Sequence, residues 1–205
     1  MTNFQKRILT SIIILPLSIF FVVKGNNFLL FFSIFVLLVG FHELFTSFKK
    51  IITRFSLSCV LFLFFISINF LRQESEYLLY LAIAVSVSSD IGGYVFGKIF
   101  KWKKLTKVSP KKTISGVFGS YFCAMIIAVI FHEVVIDINQ LTVIPVVAIA
   151  IILSTIAQAG DLIISYFKRL ERIKDAGKIL PGHGGIFDRI DGLMFVVTVT
   201  YFFLK

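Results

Sequence analysis

Residues 160–192 read GDLIISYFKRLERIKDAGKILPGHGGIFDRIDG and lie between two strongly apolar runs. The stretch holds four aspartates, one histidine, six Lys/Arg and six glycines. In a chain that is 58% hydrophobic, such a cluster beside lipid needs a reason. Charge near membrane depth is costly and by default marks a functional site. The apolar runs on either side decide the fold class, because a polar insert between long apolar segments belongs to a chain that crosses the bilayer repeatedly.

Composition agrees. A chain of 205 residues allows one domain, and 25 Phe with only 16% charged residues exceed what a soluble core absorbs. The expected class is all-α, a polytopic membrane protein of about seven spans, at 8–23, 27–46, 55–71, 77–97, 114–131, 141–167 and 187–204. N-terminal spans would fill 1–76, and catalytic spans with their cytoplasmic loops 77–205, within a single domain. The first apolar run has no small-residue cleavage site and reads as a retained span carrying a kink at Pro16. Cys59 and Cys123 lie inside apolar runs, which argues against a disulfide framework or a zinc site.

Net charge is +10, but the basic residues flank apolar spans, so membrane orientation and anionic lipid explain them and nucleic acid does not. Of the 21 Lys and Arg, 18 fall on one side of the seven-span scheme, alternating loop by loop. This predicts a cytoplasmic N-terminus, with both large basic loops facing the cytosol.

Spacing within the opening stretch predicts a helix from about Val143 to Leu170, with Asp161, Ser165, Lys168 and Arg172 on one face. A break at Ala176-Gly177 follows, then Pro181-Gly182-His183-Gly184-Gly185, where free backbone amides would form an anion nest. A new helix is expected near Ile186, with Asp188 and Asp191 on one face of its first turn. These two carboxylates and Asp161 suit a hard cation such as Mg²⁺, which takes oxygen ligands. The plainer alternative is that Asp188 and Asp191 cap the last span, at ~0.3–1 kcal/mol each.

The 27 residues from Ser165 to Asp191, with Phe167, Lys168, Arg169, Lys174, Asp175, Gly177, Leu180, Pro181, His183, Gly184, Gly185, Ile186, Asp188, Arg189 and Ile190, resemble the signature of phosphatidate cytidylyltransferases. Asp90-x-Gly92-x-Tyr94-x-x-Gly97 and Ser109-Pro110-Lys111-Lys112-Thr113 are similar to further stretches of that family. The family usually has Thr and Ala where Ile91 and Gly93 stand, Trp-Glu at Ile114-Ser115, and glycine at Ser120.

The resemblance implies transfer of a cytidylyl group from CTP to phosphatidate, giving CDP-diacylglycerol and pyrophosphate for phospholipid biosynthesis. It implies phosphate-handling catalytic residues Lys168, Arg169, Lys174, His183 and Arg189. Substrate would meet Asp90, Ser109, Lys111, Lys112, Thr113, Ser165, Gly184 and Gly185. Asp161, Asp188 and Asp191 would hold Mg²⁺, with a second cation and a homodimer left open. The expected location is the inner (cytoplasmic) membrane, with the site facing the cytosol.

Plainer readings stand beside these. Lys174-Asp175 reads as a surface pair, Glu171 and Arg172 as surface residues, and His132 in an external loop over 132–140 as interfacial. His42-Glu43 reads as an interfacial pair at a helix end, although Glu43 sits where the family often has a carboxylate. Asp90 reads either as a polar cavity wall or as a buried carboxylate satisfied by hydroxyls. The alternative functions are a small transporter whose intramembrane aspartates couple ions, and a transferase acting on another lipid phosphate. A CDP-alcohol phosphotransferase is disfavoured, because its Asp-Gly-x2-Ala-Arg arrangement is absent.

Overall fold

The computed structural model describes residues 3–106, 108–135, 143–177, 179–182 and 184–204, with side chains from 10 onward apart from those of 135, 143 and 144. His183, Lys107, Lys178 and residues 136–142, which include the 136–140 part of the expected external loop, lie outside the described residues; residues 132–135 of that expected loop belong to the helix that ends at Val135. Among the described residues, seven α-helices occur: α1 Asn3–Lys24, α2 Asn26–Ser47, α3 Ile51–Glu74, α4 Glu76–Phe100, α5 Ile114–Val135, α6 Val143–Leu170 and α7 Asp191–Phe203. A single 3₁₀ turn, Phe187–Arg189, precedes α7.

Five of these, α2 to α6, are long and apolar enough to cross a membrane. The chain is thus a multi-pass membrane protein by composition and helix length. The apolar part of α1, Thr10–Lys24, and all of α7 are shorter. The 13 residues of α7 rise only ~20 Å at 1.5 Å per residue, against ~30 Å of hydrocarbon. The last helix starts four residues later than the expected 187, because Phe187–Arg189 is spent on the 3₁₀ turn.

The chain forms two compact units. One comprises residues 1–74 and 167–190, and the other 75–166 and 191–205. Residues 167–190 pack with the N-terminal helices in the first unit.

In the first unit, α2 packs between α1 and α3. The Thr10 hydroxyl donates to the Pro181 carbonyl at 3.0 Å. Glu171 accepts from the Lys49 and Lys50 amides at 3.2 and 2.9 Å. At the other end, the Arg72 guanidinium donates to the Val23 carbonyl beside Gly25, whose φ is +64°. The beginning of α1, the α2–α3 turn and residues 167–190 therefore share one end of the first unit. Glu171 satisfies orphan amides at the start of α3 and places an anion at that helix N-terminus.

In the second unit, α4 packs on α5 and α7. The α4–α5 crossing is set by glycine. A Cβ at Gly119 would strike Phe96 and the Gly92 carbonyl, and one at Gly116 would lie 2.8 Å from the Gly93 carbonyl. Without a hydrophobic force between helices in lipid, such backbone approach supplies the packing. On the same ladder the Ser120 hydroxyl donates to the Ser89 carbonyl at 2.8 Å, and Ser89 shares a 2.9 Å hydrogen bond with Ser154 of α6. Ser120, expected as a departure from a family glycine, is thus used as a buried donor.

Gly119→Val should force α4 and α5 apart and cost ~1–3 kcal/mol, read as a lower unfolding temperature in detergent. Gly97→Ala, whose Cβ would meet the Thr113 hydroxyl at 3.0 Å and the Gly116 Cα at an ordinary 3.8 Å, should cost less.

Candidate active site

The second unit unites two motifs separated by nearly fifty residues. The segment before α5 folds back on itself, with the Leu105 amide donating to the Lys112 carbonyl at 2.8 Å and the Ile114 amide to the Lys103 carbonyl at 3.0 Å. Thr113 is the N-cap of α5, its hydroxyl accepting from the Gly116 amide at 3.1 Å. That turn fixes Lys112, whose ammonium meets the Asp161 carboxylate at 2.6 Å and the Gln158 carbonyl at 3.2 Å. Ser165, buried one turn along α6, donates to Asp161 at 3.3 Å. Lys111 is exposed, and Ser109 serves the turn through its backbone. Asp90 is exposed on α4, against the reading that buries it.

The first unit holds the rest of the 27-residue stretch. The α6 helix ends at Leu170, and Arg172 takes φ +58°, so Arg172 leaves the expected stripe. Arg169 closes the helix end, donating to the Ile173 carbonyl at 3.0 Å. Lys168 turns inward and pairs with Asp188 at 2.9 Å, the two side chains being 10% and 5% exposed. The other Asp188 oxygen accepts from the Ala176 amide at 2.7 Å and the Gly185 amide at 3.1 Å.

Leu180 and Gly184 exchange backbone hydrogen bonds around Pro181-Gly182, with Gly182 and Gly184 at φ +80° and +87°. Those two positions need glycine for the left-handed backbone. Two of the amides expected in the nest are bonded within the loop. The Gly184 amide donates to Leu180, and the Gly185 amide to Asp188. Asp188 and Asp191 do not share a first helical turn either: Asp188 rides the 3₁₀ turn, and Asp191 opens α7 with an oxygen on the Gly192 amide at 2.9 Å. Lys174, Asp175 and Arg189 are exposed.

Two further residues emerge that the sequence reading set aside. Glu43 is no interfacial pair: it is 1% exposed and accepts from the Ile186 and Phe187 amides at 3.1 and 2.9 Å. Its signal in the sequence was a carboxylate within an apolar span. Glu171, read as a surface residue, is the cap of α3 and had no local signal. Burial raises the Glu171 carboxyl, but the Lys50 and Lys49 amides, the Thr53 hydroxyl and the Lys50 charge outweigh it and hold the group below its ordinary 4.5.

A hard divalent cation takes oxygen ligands. The Asp161 carboxylate fits this, being 28% exposed with one weak 3.3 Å bond on its second oxygen. Asp188 carries three donors, and its spare lone pair is on the oxygen that faces Lys168. Among the described residues, no group of three or more His, Cys, Asp or Glu is assembled as a ligand shell.

These features define a multi-pass membrane protein in which each of the two units pairs a lysine with a carboxylate. Residues 47–205 match the sequence model of the Cytidylyltransferase family, and the chain belongs to that family. It is 38% identical over 145 residues to a phosphatidate cytidylyltransferase of Staphylococcus saprophyticus, 39% to one of Staphylococcus aureus and 37% to one of Staphylococcus epidermidis. Each match covers 68% of this chain and 55% of the relative, so the chain spans little more than half the length of these relatives.

Asp188→Ala should leave Lys168 buried without its counter-charge and cost ~3–5 kcal/mol, measured by thermal unfolding in detergent. Replacing both, as Lys168→Met with Asp188→Leu, should recover most of that stability. Because the folded-state pKa of Glu171 is depressed, its contribution is present above 4.5 and fades as pH falls through the lower folded value. Wild type should therefore lose its stability advantage over Glu171→Ala as pH drops below 4.5, read as converging melting curves.

Proposed function

We propose that the chain transfers the cytidylyl group of CTP to phosphatidate, giving CDP-diacylglycerol and pyrophosphate for phospholipid biosynthesis. The observation that carries this reading is the 2.6 Å contact of Lys112 with Asp161, which joins the Ser109–Thr113 stretch of a family member to a carboxylate one helical turn before Ser165, where the signature stretch begins. The staphylococcal relatives are phosphatidate cytidylyltransferases, which supports the choice of phosphatidate as acceptor.

A lipid phosphate oxygen attacks the α-phosphorus of CTP. The new P–O bond forms as the bond to the bridging oxygen breaks, and pyrophosphate leaves with that electron pair. No general base is required, since a phosphate monoester with second pKa near ~6 is largely dianionic at pH 7. Lys111, Lys112, Lys174, Arg169, Arg189 and His183 would meet the phosphates and hold the reacting groups in line. Ser109, Thr113, Ser165, Gly184, Gly185 and Asp90 would border the substrates. In this reading Lys168 acts by holding Asp188, consistent with their 2.9 Å pairing.

Asp161, Asp188 and Asp191 would hold Mg²⁺, which when bound neutralises phosphate oxygens. All seven helices would enter the bilayer, with the N-terminus, the basic loops and the site on the cytoplasmic face of the inner membrane. That side is favoured by the Lys/Arg alternation and by the common end of the first unit. Phosphatidate would then reach the site from lipid and CTP from the cytosol.

Purified protein in liposomes, given radiolabelled CTP, phosphatidate and Mg²⁺, should place label in the extracted lipid. EDTA, Asp161→Asn and Asp188→Asn should each remove it. Label only with a different lipid phosphate would change the acceptor, and folded protein that labels no lipid phosphate would overturn the reading.

A further inference from the structure

Glu43 lies before residue 47, where the family match begins, yet it is the most buried carboxylate among the described residues. Burying a charge costs free energy unless its oxygens are well hydrogen-bonded. Here they are, with one oxygen taking the Ile186 amide and the other the Phe187 amide. The fit is cut from the partner loop as well. A Cβ at Gly185 would lie 2.5 Å from a Glu43 oxygen, and one at Gly177 would overlap the other. Neither glycine has a positive φ, so room for this carboxylate, not backbone freedom, calls for glycine at both positions.

We propose that Glu43 is a positioning residue for residues 176–189, setting the turn that presents Asp188 to Lys168. The proposal rests on the cytidylyl-transfer reading above. Ile186 and Phe187 open the 3₁₀ turn that carries Asp188. Asp188 in turn holds the Ala176 and Gly185 amides. Four loop amides are thus divided between two carboxylates, and releasing one pair loosens the segment that anchors the other. The same segment borders a cavity of about 690 Å³ lined in part by His42, Thr46, Lys174, Asp175 and Gly177. The orientation of the loop therefore decides where the exposed Lys174 and Asp175 project.

The test compares Glu43→Gln and Glu43→Ala with wild type in the liposome assay, alongside hydrogen exchange of residues 176–190. Glu43→Ala should lower kcat per folded enzyme by ~10–100-fold, the range for supporting residues around a site. KM for CTP should move by less than about threefold, as for an interaction that matters in the transition state. Glu43→Gln keeps the length and one acceptor, and should fall between the two. Amides of 184–188 should exchange faster in both variants, with α4 and α5 unchanged.

Unchanged kcat per folded enzyme, or activity lost only in step with the folded fraction, would overturn the proposal. So would unchanged exchange at 184–188. If Glu43→Ala does not fold, Glu43→Gln decides by the same readings. Should wild type label no lipid phosphate, the cytidylyl-transfer reading fails, and the exchange measurement still decides whether Glu43 holds the loop.

Discussion

Two buried carboxylates, Glu43 and Asp188, bind the backbone of the glycine-rich segment, and the arrangement of the first unit depends on them. A segment without regular structure beside a membrane must satisfy its amides internally or in water. Here the Ala176, Gly185, Ile186 and Phe187 amides all find carboxylate oxygens. Charge-assisted hydrogen bonds of this kind are shorter and stronger than neutral ones. They also impose a shape, since Gly177 and Gly185 must lack a Cβ for Glu43 to enter. The loop is therefore a built object in which the amides of Ala176, Gly185, Ile186 and Phe187 are already committed, and its conformation is inherited from α2 as much as from its own sequence.

The second unit solves a related problem by different means. The α4 and α5 helices approach so closely at Gly92, Gly93, Gly116 and Gly119 that backbone meets backbone. That crossing carries a short polar ladder, Ser120 to Ser89 to Ser154, into the helix interior. At the end of α5 the Thr113 cap brings Lys112 to Asp161. A helix start, a basic pair and a distant carboxylate are thereby joined by one turn. The charge of Asp161 inside an apolar helix is offset where it would otherwise be most costly.

Much of this was legible in the chain itself. The helices follow from apolar runs bounded by Gly, Asn and basic residues, and α6 ends where Lys168-Arg169-Leu170 gives way to Glu171. The start of α5 at Ile114 coincides with the start of the apolar span expected from 114. The family could be recognised from Ser165 to Asp191 because those residue types recur at fixed spacing without a gap. The role of Glu43 was less legible, because a single glutamate at the end of an apolar span carries no mark of what it will meet. Asp188 and Asp191 misled through spacing: three residues apart, they suited one helical turn, but the 3₁₀ turn separates them.

The amino-acid sequence by itself determined the membrane class, the helical segments, the alternation of basic loops and the family. These are properties of composition and local period, and they need no knowledge of which segments meet. Only the tertiary structure decided that residues 167–190 pack with the first three helices, that Glu43 fills the loop, that Lys168 is committed to Asp188, and that Lys112 reaches Asp161. The partners in these contacts lie from 20 to 144 residues apart. A hydrogen bond depends on distances set by helix packing, which no local pattern encodes.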